Sequence, residues 1–279
     1  MRPMRIAYFD FVTHYGGAQK VTVEIARYLA RHHEVHVIEA FGTDDRYGQA
    51  VRDAGLPHHV LAPEVERPYI GMTNSPGRRA FAAARHAEHM LRVQRRLAEL
   101  SRRLGLSLVW TNGIKAMSLF FWSDRLNDLA VAYYMHGEYG PRMVGRWARY
   151  LLDNRTDLLL AVSTATARNI RDAGVRKPEV HTVFNPIDLD AVVKRSRAGL
   201  EAELPEDGPR PWVLMPASLL PGKGQAYAIE ALGQLRREGH EATLWLAGGT
   251  TTPSARAYVA ELESEAERCG VSDCVRFLG

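Results

Sequence analysis

Short apolar runs recur along the first two-thirds of the chain, at residues 5–9, 34–38, 59–61, 107–111, 130–134, 158–162 and 180–184. Each has the length of a strand, and helical periodicity fills 18–32, 78–104, 115–127 and 164–173 between them. Alternation of this kind predicts an α/β fold built on a mainly parallel sheet. The pattern then restarts, with a strand over Trp212–Pro216, a helix over 224–238, a strand over 242–247, a helix over 254–269 and a strand over 274–278. Between the two series lies 185–211, which opens NPIDLD and closes LPEDGPRP, a proline-rich and charged stretch suited to a linker. The expectation is two Rossmann-like, doubly wound domains, 1–185 and 212–279, joined by a linker over 186–211, the second with about half the strands of a full domain.

Composition narrows the picture. A chain of 279 residues, 46% of them apolar, buries a sizeable core and is long enough for about two domains. Residues 1–200 carry 29 basic against 20 acidic side chains, whereas 201–279 carry 7 against 12. The basic half suits nucleic acid, an anionic membrane surface or a phosphorylated substrate, and equally an arginine-rich soluble enzyme. Two cysteines, Cys269 and Cys274, are too few for a disulfide framework or a four-ligand zinc site and read as reduced and structural. The N-terminal MRPMRIAYFDFV lacks the small-residue cleavage region of a secretory signal, and no run approaches the ~20 apolar residues of a spanning helix. These features point to the cytoplasm.

Three strand-to-helix turns carry candidate chemistry. The segment 212–232, WVLMPASLLPGKGQAYAIEAL, runs from an apolar strand through Pro-Gly-Lys-Gly directly into a helix. Gly222 and Gly224 let the backbone approach an anion, the helix N-terminus offers N–H groups and a positive dipole end, and Lys223 adds a point charge. An ordinary turn with a solvated lysine reads equally well from that segment alone. After the first strand, DFVTHYGGA places Gly16 and Gly17 before a helix, suited to a phosphate or sugar against backbone N–H groups, or to a tight connection. The spacing is not G-x-G-x-x-G, which argues against a nicotinamide cofactor. After the fifth strand, MHGEY places His136 and Glu138 at a strand end, where both suit acid–base or hydrogen-bonding work. Ser163 and Thr164 read as a helix N-cap.

In order along the chain, HYGGAQKVTVEIARYLARHHEVHVI, AVSTATARNI, VFNPIDLDAV, LLPGKGQAYAIEAL, LWLAGG and CVRFLG resemble the family 4 retaining glycosyltransferases of the GT-B fold. The resemblance covers nearly the whole chain. It implies transfer of a sugar from a nucleotide-sugar donor to a glycan, lipid-linked or small-molecule acceptor, with retention of anomeric configuration and with no metal ion or other cofactor. It also implies roles: Gly16 and Gly17 near the donor phosphates and reacting sugar, His136 near the reacting carbon, and Lys223 with Gly224 at the donor diphosphate. There a cation stabilises the charge of the departing nucleoside diphosphate.

Two departures stand out. The family's G-R-L-x-x-x-K-G pattern carries an arginine five residues before the lysine, where this chain has Ser218. A serine donates a hydrogen bond to phosphate but supplies no charge, a difference of roughly 1.5–3 kcal/mol. Members of the family also continue past the FLG strand with the Glu-x7-Glu motif that binds donor sugar and ribose, which implies a truncated fragment of a full enzyme. A non-catalytic acceptor- or partner-binding remnant and one half of a split enzyme are the alternatives.

The acceptor side is read from 78–104, where Met90, Val93, Leu97, Leu100 and Leu104 form one stripe and Arg92, Arg95, Arg96, Arg102 and Arg103 lie elsewhere. The helix is either core-packed with a solvated basic face or, more sharply, a contact for a phosphorylated acceptor or for the inner face of an anionic membrane. Glu138 joins these arginines as a candidate acceptor contact. Aromatic residues do not interleave with the arginines, so nucleic acid is not expected.

Overall fold

The computed structural model describes residues 2–11, 15–65, 76–121, 126, 128–137, 145–199, 208–249 and 253–279. They form two units, Met1–Leu189 and Asp190–Gly279. The boundary falls inside the stretch read as a linker, and that stretch contains a helix, α7 (Leu189–Gly199).

In the first unit seven parallel strands lie in the order β3-β2-β1-β4-β5-β6-β7. They are β1 (Arg5–Asp10), β2 (Glu34–Glu39), β3 (His58–Val60), β4 (Leu108–Thr111), β5 (Ala130–Met135), β6 (Leu158–Ala161) and β7 (Val180–Thr182). The helices between them are α1 (Gly17–Leu29), α2 (Asp45–Asp53), α3 (Pro76–Leu104), α4 (Ile114–Phe121), α5 (Arg146–Arg155) and α6 (Thr164–Asp172). Period-2 alternation sends successive strand residues to opposite faces. Ala7, Phe9, Val109 and Tyr133 therefore pack with Leu97 of α3, Met117 of α4, Leu151 of α5 and Ile170 of α6. Ile6, Tyr8, Trp110 and Ala132 face the other way, where α1 and α2 contribute Val23, Ala26, Tyr47 and Val51. Burial on both faces explains why the strands read as continuous apolar runs. Beside α1, an apolar groove of about 610 Å³ lies over Leu108, Trp110, Tyr134 and Leu160 and is bounded by Phe184 and Ile187.

The direction of winding reverses between β1 and its neighbours. β1 pairs with β2 on one side, Tyr8 opposite Val37, and with β4 on the other, Tyr8 opposite Trp110. The carboxyl ends of β1 and β4 thus splay their outgoing loops apart, the arrangement in which open α/β sheets bind ligands.

The second unit is a three-stranded parallel sheet, β10-β9-β8, with β8 (Trp212–Pro216), β9 (Thr243–Ala247) and β10 (Val275–Phe277). α8 (Gln225–Arg237) and α9 (Pro253–Cys269) cover one face, packing Ile229, Leu232, Tyr258 and Leu262 on Leu244 and Leu246. Cys269 and Cys274 are free thiols.

Candidate functional site

The first unit presents its polar groups at the carboxyl ends of β1, β4 and β5. Asp10 ends β1 almost fully buried, and its Oδ2 accepts hydrogen bonds from the Tyr8 hydroxyl (3.0 Å) and the Gln19 side-chain amide (3.1 Å). Burial, and secondly the Asp10 charge, hold the Tyr8 phenol well above its usual range. Gln19 in turn accepts from the Gly16 N–H at 3.1 Å, the reciprocal half of a capping box. One side chain therefore ties the end of β1 to the glycine loop. Tyr15 is fixed from the other side, its N–H donating to Asp44 Oδ2 at 2.9 Å. Asp44 also caps α2 and holds the Arg46 guanidinium, which chiefly draws its pKa down to about 2.

Gly16 is the N-cap of α1 in an extended conformation that any residue adopts. Gly17 opens the helix, and a Cβ built there meets nothing within 4 Å. Neither backbone nor packing demands glycine at 17. What glycine does supply is unobstructed access to the first turn, whose N–H groups have no intrahelical acceptor.

Asn112, just past β4, donates from Nδ2 to Thr22 Oγ1 of α1 at 2.9 Å, while its Oδ1 is buried with no partner among the described residues. His136, just past β5, behaves alike. Its ring lies 4.3 Å from that of Tyr134, and its Nε2 is buried with no partner among the described residues. Burial pulls its pKa down to about 4, so the imidazole is neutral at pH 7. Tyr134 is itself anchored, its hydroxyl donating to the Val183 carbonyl (2.8 Å) and to Asn185 Oδ1 (3.1 Å). Two orphaned polar atoms at the ends of adjacent strands are costly unless a ligand's hydroxyls or water complete them.

The second unit gathers Ser218, Lys223 and Gly224 in the single turn between β8 and α8. Gly222 and Gly224 both have positive φ, 89° and 88°, which side-chain-bearing residues rarely adopt. The turn is braced from within: Lys223 N–H donates to the Leu220 carbonyl at 3.2 Å, and the buried Gln225 amide donates to the Ser218 carbonyl at 2.9 Å. It is braced from outside by Gly248, where a Cβ would sit 2.0 Å from the Ala217 carbonyl oxygen. The side chains of Ser218 and Lys223 stay exposed. The turn thus offers a cation and a hydroxyl on a rigid frame at the carboxyl end of β8.

The remaining candidates lie apart from these groups. Arg92 pairs with Glu88 (2.7 Å) and Glu64 (3.2 Å), and Arg96 with Glu64 (2.8 Å) and the Leu61 carbonyl. Two of the arginines read as an anion contact therefore already face carboxylates, while Arg95 is exposed. Glu138 lies outside the described residues. Ser163 caps α6 by accepting from the Thr166 N–H, as expected. Asp10, Gln19, Asn112 and Asp44 escaped the sequence reading. Of these only Gln19 had a legible signal, its position three residues after the N-cap glycine, Gly16. Among the described residues no cluster of three or more His, Cys, Asp or Glu side chains is arranged to hold a metal ion, and no helix is long and apolar enough to cross a membrane.

Comparison with known proteins places the chain in a family. Residues 15–191 match the sequence profile of Glycosyltransferase Family 4. A GDP-mannose-dependent alpha-(1-6)-phosphatidylinositol monomannoside mannosyltransferase of Mycobacterium tuberculosis is 30% identical over 194 residues, 67% of this chain and 48% of that protein. The chain thus spans about half the length of the curated relatives it matches. Among solved structures, Anabaena HepE in complex with UDP and glucose superposes with a TM-score of 0.68 at 21% identity, covering 99% of this chain and 69% of that one. Sucrose-phosphate synthase from Thermosynechococcus elongatus gives 0.67 at 15% identity, covering 99% and 70%. These structures share the GT-B-like α/β fold. The chain belongs to Glycosyltransferase Family 4.

Proposed function

We propose that the protein transfers a sugar from a nucleotide-sugar donor to a glycan, lipid-linked or small-molecule acceptor, with retention of anomeric configuration and without a metal ion. The observation that carries this reading is the Gly222-Lys223-Gly224 turn, a cation on a rigid, glycine-shaped loop that opens α8. Lys223 neutralises the diphosphate as it leaves, assisted by the Ser218 hydroxyl and the N–H groups of the helix. In the first unit Gly16 and Gly17 keep the start of α1 open to donor phosphate or sugar, and neutral His136 hydrogen-bonds the sugar near the reacting carbon. Asn112 Oδ1 accepts from a sugar hydroxyl beside it. The curated relative is described as GDP-mannose-dependent and HepE was solved with UDP and glucose, which supports a nucleotide-sugar donor without fixing its base.

One observation favours a second reading, a module that binds acceptor or partner without turnover: Ser218 leaves Lys223 as the single cationic side chain between β8 and α8. The test is a screen of UDP- and GDP-sugars for hydrolysis and transfer by the 279-residue chain, with the product anomer assigned by NMR. Turnover with a retained anomer, lost in Lys223→Ala, is expected. Nucleotide-sugar binding with no turnover of any donor would favour the module.

A further inference from the structure

His136 follows β5 with no hydrogen bond to fix its ring. Neither imidazole nitrogen is bonded among the described residues, and Nε2 is buried. A ring in that state is loosely set, because the second torsion of a histidine side chain has broad, roughly two-fold preferences. Histidines that act on a ligand are ordinarily oriented by a hydrogen bond on the nitrogen turned away from it. Here the recorded contact is with another ring. Tyr134, two residues earlier and on the same face of the strand, lies 4.3 Å from His136 between centroids, with planes 60° apart.

Tyr134 is held far more firmly than the ring it supports. It is 1% exposed, and its hydroxyl lies 2.8 Å from the Val183 carbonyl oxygen and 3.1 Å from Asn185 Oδ1. Val183 is fixed in turn, its N–H donating to the Ala161 carbonyl at 2.9 Å where the pairing of β6 with β7 runs out. Burial raises the Tyr134 phenol above its usual range, so the hydroxyl remains a donor at neutral pH. One side chain therefore joins β5 to the segment leaving β7, and its ring is the surface on which His136 rests.

We propose that Tyr134 is a positioning residue for His136: clamped at its hydroxyl by Val183 and Asn185, it presents a fixed ring that sets the orientation in which the imidazole meets the sugar. The sugar contact rests on the proposed glycosyl transfer. The clamp and the ring contact do not. Orientation matters at this place because misplacing a group beside the reacting atoms by about 1 Å lowers the rate by about 100-fold. A tyrosine that only stabilised the fold would affect turnover whatever stands at position 136, whereas a positioning tyrosine acts through the imidazole alone.

A double-mutant cycle separates the two roles. Turnover of UDP- and GDP-sugars is measured for the wild-type chain, Tyr134→Leu, His136→Ala and the double variant, with Tyr134→Phe and Asn185→Ala as milder changes that keep the ring. Tyr134→Leu should lower kcat about 10- to 100-fold with little change in donor KM, and should lower it no further once His136 is replaced by alanine. Tyr134→Phe and Asn185→Ala should each fall between wild type and Tyr134→Leu, and they carry the same cycle if Tyr134→Leu does not fold. The orientation is also read without any donor, from the Hδ2 and Hε1 resonances of His136, identified by their loss in His136→Ala. Displaced by the tyrosine ring in the wild type, they should return towards ordinary histidine positions in Tyr134→Leu and move part of the way in Asn185→Ala. An equal loss of kcat with and without His136, or His136 resonances untouched by these substitutions, would overturn the proposal. Absence of turnover by the wild-type chain would count against the transfer reading, and the resonances would then decide the positioning role by themselves.

Discussion

Gln19 donates its side-chain amide to the buried carboxylate of Asp10 at 3.1 Å. Its other atom receives the Gly16 N–H, so a glutamine on α1 sets the geometry of the loop after β1. Gln19→Ala leaves a buried carboxylate short of one donor and should cost about 1–3 kcal/mol, seen as a lower urea midpoint. Gln19→Glu sets a second carboxylate against Asp10 and should cost more at pH 7 than at pH 4, where protonation relieves it.

Two glycines that look alike in sequence should respond oppositely to alanine. Gly17→Ala meets open space in a helical position and should be neutral or stabilising by up to about 1 kcal/mol, while weakening nucleotide-sugar binding. Gly248→Ala drives a Cβ into the Ala217 backbone and should destabilise the second unit by about 1–3 kcal/mol or more. Thermal melts and donor titrations separate the two effects.

His136 gives stability a defined pH dependence. Its folded pKa of about 4 lies below the ordinary 6.5, so between those values the unfolded chain binds a proton that the folded chain does not. Stability therefore falls as pH drops from about 6.5 to about 4 and levels off below, as far as this group is concerned. Removing the imidazole in His136→Phe should flatten that part of a chemical-denaturation series run across pH 4–7.

Asp44 acts in the opposite range. Arg46, and then the backbone N–H groups of Tyr15 and Arg46, hold its carboxyl near 2, so its contribution is complete above about 4 and is lost as pH falls through 2. Asp44→Ala removes the α2 cap and frees Tyr15, and should cost about 0.5–2 kcal/mol at neutral pH. It should also raise hydrogen-exchange rates at Tyr15 and Arg46.

Much of the fold was legible because the central strands of the first sheet, β1, β2, β4 and β5, are buried on both faces and leave continuous apolar runs. All ten strands in the described residues fall on runs read from sequence, displaced by a residue or two at their ends. Three helices were not legible. α2 buries only Tyr47, Gly48 and Val51 and carries a mid-helix glycine pressed against His58. α5 spends its aromatic residues on solvent, which blurs the apolar stripe. α7 has an exposed Leu189, Val192 and Val193 within a stretch whose prolines and charges read as a linker. At the site, turns announced themselves through glycine, so Gly16, Gly17 and Gly222 to Gly224 could be placed. Asp10 and Asn112 could not, because a polar residue at a strand end has no local pattern. Their importance comes from partners on α1, Gln19 for Asp10 and Thr22 for Asn112.

Calorimetric titration of the 279-residue chain with UDP and with GDP tests the diphosphate site most directly. At least one nucleotide should bind, Lys223→Ala should weaken it by roughly 10- to 100-fold, corresponding to a lost charged hydrogen bond of about 1.5–3 kcal/mol, and Ser218→Arg should tighten it. Equal affinity in the wild-type chain and Lys223→Ala, or no binding of either nucleotide, would contradict the assignment of this turn to a donor diphosphate.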